Sequence, residues 1–194
     1  MILIIFAVIA IFAVGLAHPM ERRQNVGPWS LYAYGSNIDG LPIFYADGQA
    51  QIGNMALSNA TNKFAVSLTF GNNPNTWVAH PDTTTSTTST FTTVDVASTS
   101  LGLSDTGSMA CPVIFTTPGQ GNNTVSGNTN SMSTPQTNVW TLYGKYVMCS
   151  QAKVSFYAQP TGQDGWYLLL WSATTDAALN NIPVTLRTIG PAFG

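Results

Sequence analysis

The sequence predicts an all-β protein: a single antiparallel β-sandwich or jelly-roll-like domain behind an export leader. Three observations carry that expectation. After residue 28, apolar residues recur with a period of two, the spacing of a strand with one buried face. Gly and Pro interrupt these segments at short intervals, as turns between short strands require. No stripe of helical period follows the first residues; residues 174–179 suit one short turn at most.

The elements follow in order. Residues 29–34 alternate around Leu31 and Ala33 and end at Gly35. Residues 41–46 and 49–52 flank Asp47-Gly48, a dipeptide that tolerates the positive φ of a two-residue hairpin turn. Phe64, Val66, Leu68 and Phe70 alternate with Lys63, Ala65, Ser67 and Thr69, the clearest strand pattern in the chain. Further strands are expected at 76–79, 91–96, 113–116, 139–143, 146–149, 154–158, 166–171 and 184–188. The run Tyr167-Leu168-Leu169-Leu170-Trp171 has no polar alternation, so it belongs inside a sheet. Residues 117–137 are Gly-, Asn-, Ser-, Thr- and Pro-rich and read as a long surface loop.

The first residues are of another kind. Residues 2–14 form an unbroken apolar run, followed by the small residues Gly15 and Ala17. This is the h-region and cleavage site of a signal peptide, residues 1–17, although no Lys or Arg precedes it. Arg22-Arg23 then reads as a dibasic processing site ending a pro-segment, 18–23, with the mature domain at 24–194. Cutting there leaves about 170 residues, enough for one domain with a sizeable core. It removes Glu21, the only Glu, and leaves seven aspartates against Lys63, Lys145, Lys153 and Arg187. That balance argues against nucleic-acid partners, which need a basic surface. Nor is a membrane partner expected once the leader is gone.

Export sets the chemistry of the remaining motifs. Cys111 and Cys149 are expected to pair in an oxidising compartment. Asn59-Ala60-Thr61 and Asn122-Asn123-Thr124 match the N-glycosylation sequon, and the Thr/Ser run at 83–90 suits O-linked sugar or a strand entry.

Catalytic sets are incomplete. Asp105-Thr106-Gly107-Ser108 matches the motif of pepsin-like proteases, whose mechanism needs two facing aspartates, and it occurs once. Glycoside hydrolysis uses paired carboxylates, which a mature chain without Glu would have to build from aspartates. Ser-His-Asp chemistry would rest on His80, expected as an exposed loop residue, and no Gly-x-Ser-x-Gly elbow accompanies it. If signal peptidase alone acts, His18 becomes the N-terminus, as in copper-dependent polysaccharide monooxygenases, with His80 as the second ligand. Arg22-Arg23 counts against that arrangement, and no cofactor or metal is expected.

The stretch from Gly27-Pro28-Trp29 to Ile43-Phe44-Tyr45-Ala46-Asp47-Gly48, with residues 166–191, resembles small β-rich secreted proteins of filamentous fungi with no assigned activity. The resemblance implies secretion and a β fold and is silent on chemistry. Flat rings stack on the apolar faces of sugars, so Trp29, Tyr32, Tyr34, Trp77, Trp140 and Trp166 are the candidates for binding a glycan. The expected function is therefore a secreted, non-catalytic protein of the extracellular space or cell wall, with polysaccharide as its partner. The alternatives are a secreted hydrolase or copper enzyme, and an effector that binds a protein.

Overall fold

The computed structural model describes residues 27–82, 99–104, 110–116, 134–151, 153–174 and 180–192. The leader, the processing site with Ala17, Arg22 and Arg23, and His18 lie outside them. So do the Thr/Ser run, the strand expected at 91–96, the Asp105 motif, Asn122 and residues 117–133 of the long loop.

The described chain is all-β, as its patterning predicts. Twelve strands run β1 (Tyr32–Gly35), β2 (Ile38–Ala46), β3 (Gln49–Gly53), β4 (Lys63–Phe70), β5 (Trp77–Pro81) and β6 (Ser100–Leu103), then β7 (Cys111–Thr116), β8 (Trp140–Tyr143), β9 (Tyr146–Cys149), β10 (Ser155–Pro160), β11 (Trp166–Ser172) and β12 (Ile182–Arg187). One 3₁₀ turn, Met55–Leu57, is the only helical piece among the described residues. Every described strand pairing is antiparallel.

The sandwich expectation needs correction. Hydrogen-bonded neighbours follow the order β1-β2-β4-β5-β6-β7-β3-β11-β10-β12, and β12 then returns to β1, so the sheet closes into a ten-strand barrel. Closure rests on the β1–β12 ladder, which pairs Tyr32 with Arg187 and Gly35 with Val184. The β8–β9 hairpin is attached outside the ring, through Tyr146 of β9 against Arg187. Alternating burial is the same in an open sandwich and a closed barrel, because both have one dry face. The difference lies in which end strands meet.

β2 shows how the wall bends. Its first half pairs with β1, and its second half with β3 and β4. The register slips between Ala33 and Tyr34 of β1, and Gly40 opposite this region has φ +70°. Such a bulge increases local twist and lets one strand serve two neighbourhoods. The expected Asp47-Gly48 hairpin is present, with both residues at positive φ. The strand β6 escaped sequence reading, being four residues long with Gly102 in its middle.

One core fills the barrel. Along β4 the burial alternates, with Phe64, Val66 and Leu68 inside, and the interior faces of the other strands meet them. Aromatic rings run through this core as a chain: Phe70 and Trp29 at 4.7 Å, Trp29 and Trp77 at 5.6 Å, Trp77 and Trp140 at 5.5 Å, and Trp140 and Phe156 at 5.9 Å. Tyr45, Phe64 and Phe115 form a second aromatic group, Tyr45 lying flat on Phe64 at 4.4 Å.

Glycine is obligatory where two turns approach. Gly53 has φ +107°, and a Cβ there would sit 1.9 Å from the carbonyl oxygen of Gly165. That oxygen accepts a hydrogen bond from Asn54 N–H, so it has no freedom to retreat. Gly144, in the β8–β9 turn, has φ +61° and open space around it. Gly53→Ala is therefore expected to cost about 3 kcal/mol or more, and Gly144→Ala about 1 kcal/mol. Thermal unfolding of the two variants checks this ranking.

Candidate functional site

Most of the aromatic candidates are structural. Trp77 and Trp140 are fully buried, and Trp29 belongs to the same core. Trp166 is buried in a smaller cluster with Phe44 and Ala46, where its indole N–H donates to Gln51 Oε1 at 2.7 Å. Trp140 N–H likewise donates to the carbonyl of Leu101 at 2.7 Å. These four tryptophans offer no face to a glycan, and the expectation that they do is corrected. A large flat ring removes much apolar area from water when buried: Trp29, Trp77 and Trp140 gain this in the barrel core, and Trp166 in a cluster on the other face of the wall, under Met55 and Ala60.

Tyr32 and Tyr34 differ. Both point outward from β1, since Leu31 and Ala33 take the interior. The register then carries the surface across the barrel wall. Tyr32 lies opposite Arg187 on β12, Arg187 opposite Tyr146 on β9, and Tyr146 opposite Tyr143 on β8. Directly opposed residues on antiparallel strands project to one side of the sheet. The four form a row, Tyr32–Arg187–Tyr146–Tyr143, with Tyr34 beside it.

Arg187 is the pivot of this face. Its guanidinium lies over the ring of Tyr34 at 4.4 Å and that of Tyr146 at 5.0 Å, while Lys145 approaches Tyr146 at 5.9 Å. Such cation–π contacts hold the rings and the guanidinium in fixed mutual orientation. The segment after β12 supports the other end, where Tyr34 Oη–H donates to the carbonyl of Ile189 at 2.9 Å. Gly190 packs closely on Tyr32: a Cβ there would fall 3.1 Å from its ring, a tight contact. Tyr143 is 71% exposed, Ile189 56% and Met148 50%, and these border the row. Three of the four large apolar side chains exposed among the described residues thus lie on or beside this row.

A cleft of 410 Å³ adjoins the face, where β9 and β10 part along β12. Met148, Cys149, Lys153, Tyr157 and Thr185 are among its walls. Lys153 is exposed at φ +68°.

Sequence reading missed Tyr143, Tyr146, Lys145 and Arg187. A signal for the first three was present: Tyr143-Gly144-Lys145-Tyr146 is a two-residue hairpin whose flanking tyrosines must oppose each other. Arg187 carried none, because its partners come from strands remote in sequence.

The expected disulfide is absent: Cys111 and Cys149 are not joined. Cys111 stands on β7, bordered by β6, β3 and β11, whereas β9 with Cys149 is bordered by β8 and β12. His80 is also not a loop residue. It is half-buried within β5, its Nε2 2.7 Å from Thr69 Oγ1 on β4. Among the described residues, no three His, Cys, Asp or Glu side chains gather as a metal site. Asn59 is exposed in the loop before β4, a position accessible to a glycosyltransferase.

Comparison of the chain with protein families, with characterised proteins and with solved structures finds no match.

Two partly buried acids have their acidity lowered by the fold. Burial pushes the Cys149 thiol above its usual 9.0, partly offset by a hydrogen bond from the Gln151 backbone. Burial, with the nearby Asp47 carboxylate, pushes the Tyr45 phenol above 10.0, a hydrogen bond from Gly48 opposing it. Both groups hold their protons more tightly folded than unfolded. Their contribution is complete below pH 9 and is lost as pH rises through 9 and then 10. Stability should fall along that limb, and Cys149→Ala and Tyr45→Phe should each flatten it in denaturant titrations between pH 8 and 11.

Proposed function

We propose that the protein is a secreted, non-catalytic glycan-binding protein of the extracellular space or cell wall. The observation that carries this reading is the outward row Tyr32–Arg187–Tyr146–Tyr143. Sugars present patches of C–H on their ring faces and hydroxyls around their edges. Flat phenols meet the first by stacking, and their hydroxyls, with the arginine N–H groups, meet the second. Successive antiparallel strands are spaced about 4.8 Å apart, close to the length of a pyranose unit, so a row crossing several strands presents rings to consecutive residues of a chain. The rings are held by Arg187 and by Gly190, which lowers the entropy lost when a ligand orders them.

The leader read from residues 1–17 supports export, and the exposed sequon at Asn59 suits it. The resemblance to small secreted fungal proteins points the same way. A protein partner is the competing reading, favoured by Met148 and Ile189 at the edge of the face.

Affinity electrophoresis through gels containing soluble polysaccharides, with pull-down on chitin, β-glucan and cellulose, tests the proposal. Retention on at least one is expected, and Tyr143→Ala should weaken it about tenfold, the equivalent of one ring contact of roughly 1.4 kcal/mol. Because the tryptophans are core residues, their fluorescence should barely move. No retention on any polysaccharide, or full retention by a Tyr143→Ala, Tyr146→Ala double variant, would overturn the proposal.

A further inference from the structure

We infer that the glycan taken by this face carries carboxylates: an acidic polysaccharide of the uronate class. The inference rests on the glycan-binding reading above and adds the chemistry of the ligand. Beyond residue 26 the chain has four cations, Lys63, Lys145, Lys153 and Arg187. Lys63 is engaged elsewhere, its Nζ donating to the carbonyl of Ser58. The other three lie on the tyrosine face or the cleft beside it. A chain with so few cations has put three of them in one place.

None of the three is neutralised by a carboxylate among the described residues. Lys145 and Arg187 instead lie over tyrosine rings, and Arg187 Nε is buried with no hydrogen-bond partner there. A guanidinium against ring faces keeps its positive charge and its planar fork, and that fork matches a carboxylate with two parallel hydrogen bonds. Asp39, exposed on β2 opposite Tyr34, is the one described carboxylate bordering the row. It repels an anion at the β1 end. A ligand carboxylate is thereby directed to the β9 end, between Arg187 and Lys145, while Tyr143 and Tyr146 carry the sugar faces. The whole chain is acidic, with a formal charge of −2, so overall attraction cannot account for such binding. Local pairing must.

Polygalacturonate and its fully methyl-esterified form separate the two contributions, since esterification removes the charge and keeps the sugar backbone. The full mature chain is expected to bind polygalacturonate at least tenfold more tightly than the ester, with affinity falling as salt rises. Lys145→Ala should weaken polygalacturonate binding several-fold and leave ester binding unchanged, whereas Arg187→Lys, which also loosens the rings, should weaken both and the acid form more. Lys145 is an exposed turn residue, so its variant folds even if Arg187→Lys does not, and circular-dichroism melting verifies both. Equal affinity for acid and ester, or no effect of Lys145→Ala, would overturn the acidic assignment and leave glycan binding standing. No binding to these or to any neutral polysaccharide would overturn the reading beneath it.

Discussion

The packing of Trp77, edge-on to Trp29 and stacked on Trp140, organises this protein. Trp29 enters from the segment before β1, Trp77 from β5 and Trp140 from β8, so three parts of the chain far apart in sequence converge on one line of rings. Phe70 and Phe156 extend the line to β4 and β10. Rings of this size bury 150–250 Å² each, and offset or edge-on pairs add to that burial. The β8–β9 hairpin depends on it most. It meets β12 through a single described register pair and the Thr188 N–H to Lys145 carbonyl bond, and Trp140, with its indole N–H on Leu101 and its backbone N–H on Asn75, adds to its attachment.

That attachment links the core to the surface. Trp140 and Leu142 point inward along β8, which obliges Tyr143 to point outward. On β9, burial of Val147 turns Tyr146 and Met148 to the other side. The same alternation on β12 buries Leu186 and turns Arg187, half-buried, to the other side. The tyrosine row is thus a consequence of interior packing: each outward ring sits one residue from an inward anchor. The inward anchors fix where each ring's backbone sits and the side of the sheet from which it projects.

Much of the fold was legible in local sequence. The alternation in β4, the Asp47-Gly48 hairpin and the apolar run in β11 declare themselves, since each depends on residues within a few positions. Other features did not. The short β6 has no pattern of its own and exists because β5 and β7 leave a gap that it fills. The disulfide expectation failed for the converse reason: oxidation chemistry favours pairing, but pairing needs adjacency, and β7 and β9 are not neighbours. Which of the candidate aromatics would be core could not be read locally, because ring type does not say which face of a strand will be dry.

The sequence by itself determined the all-β class, the positions of most strands and turns, the scarcity of charge and the wealth of aromatic residues. Those properties are local or compositional, set by period-two burial and by turn geometry. Only the tertiary structure decided that the sheet closes through β1 and β12 into a barrel. It alone also decided that Trp29, Trp77 and Trp140 go inward, that Trp166 is buried on the other face of the wall, and that four tyrosines gather outward around Arg187. Both depend on register between strands more than a hundred residues apart. A shift of one residue there would exchange every inward side chain for an outward one.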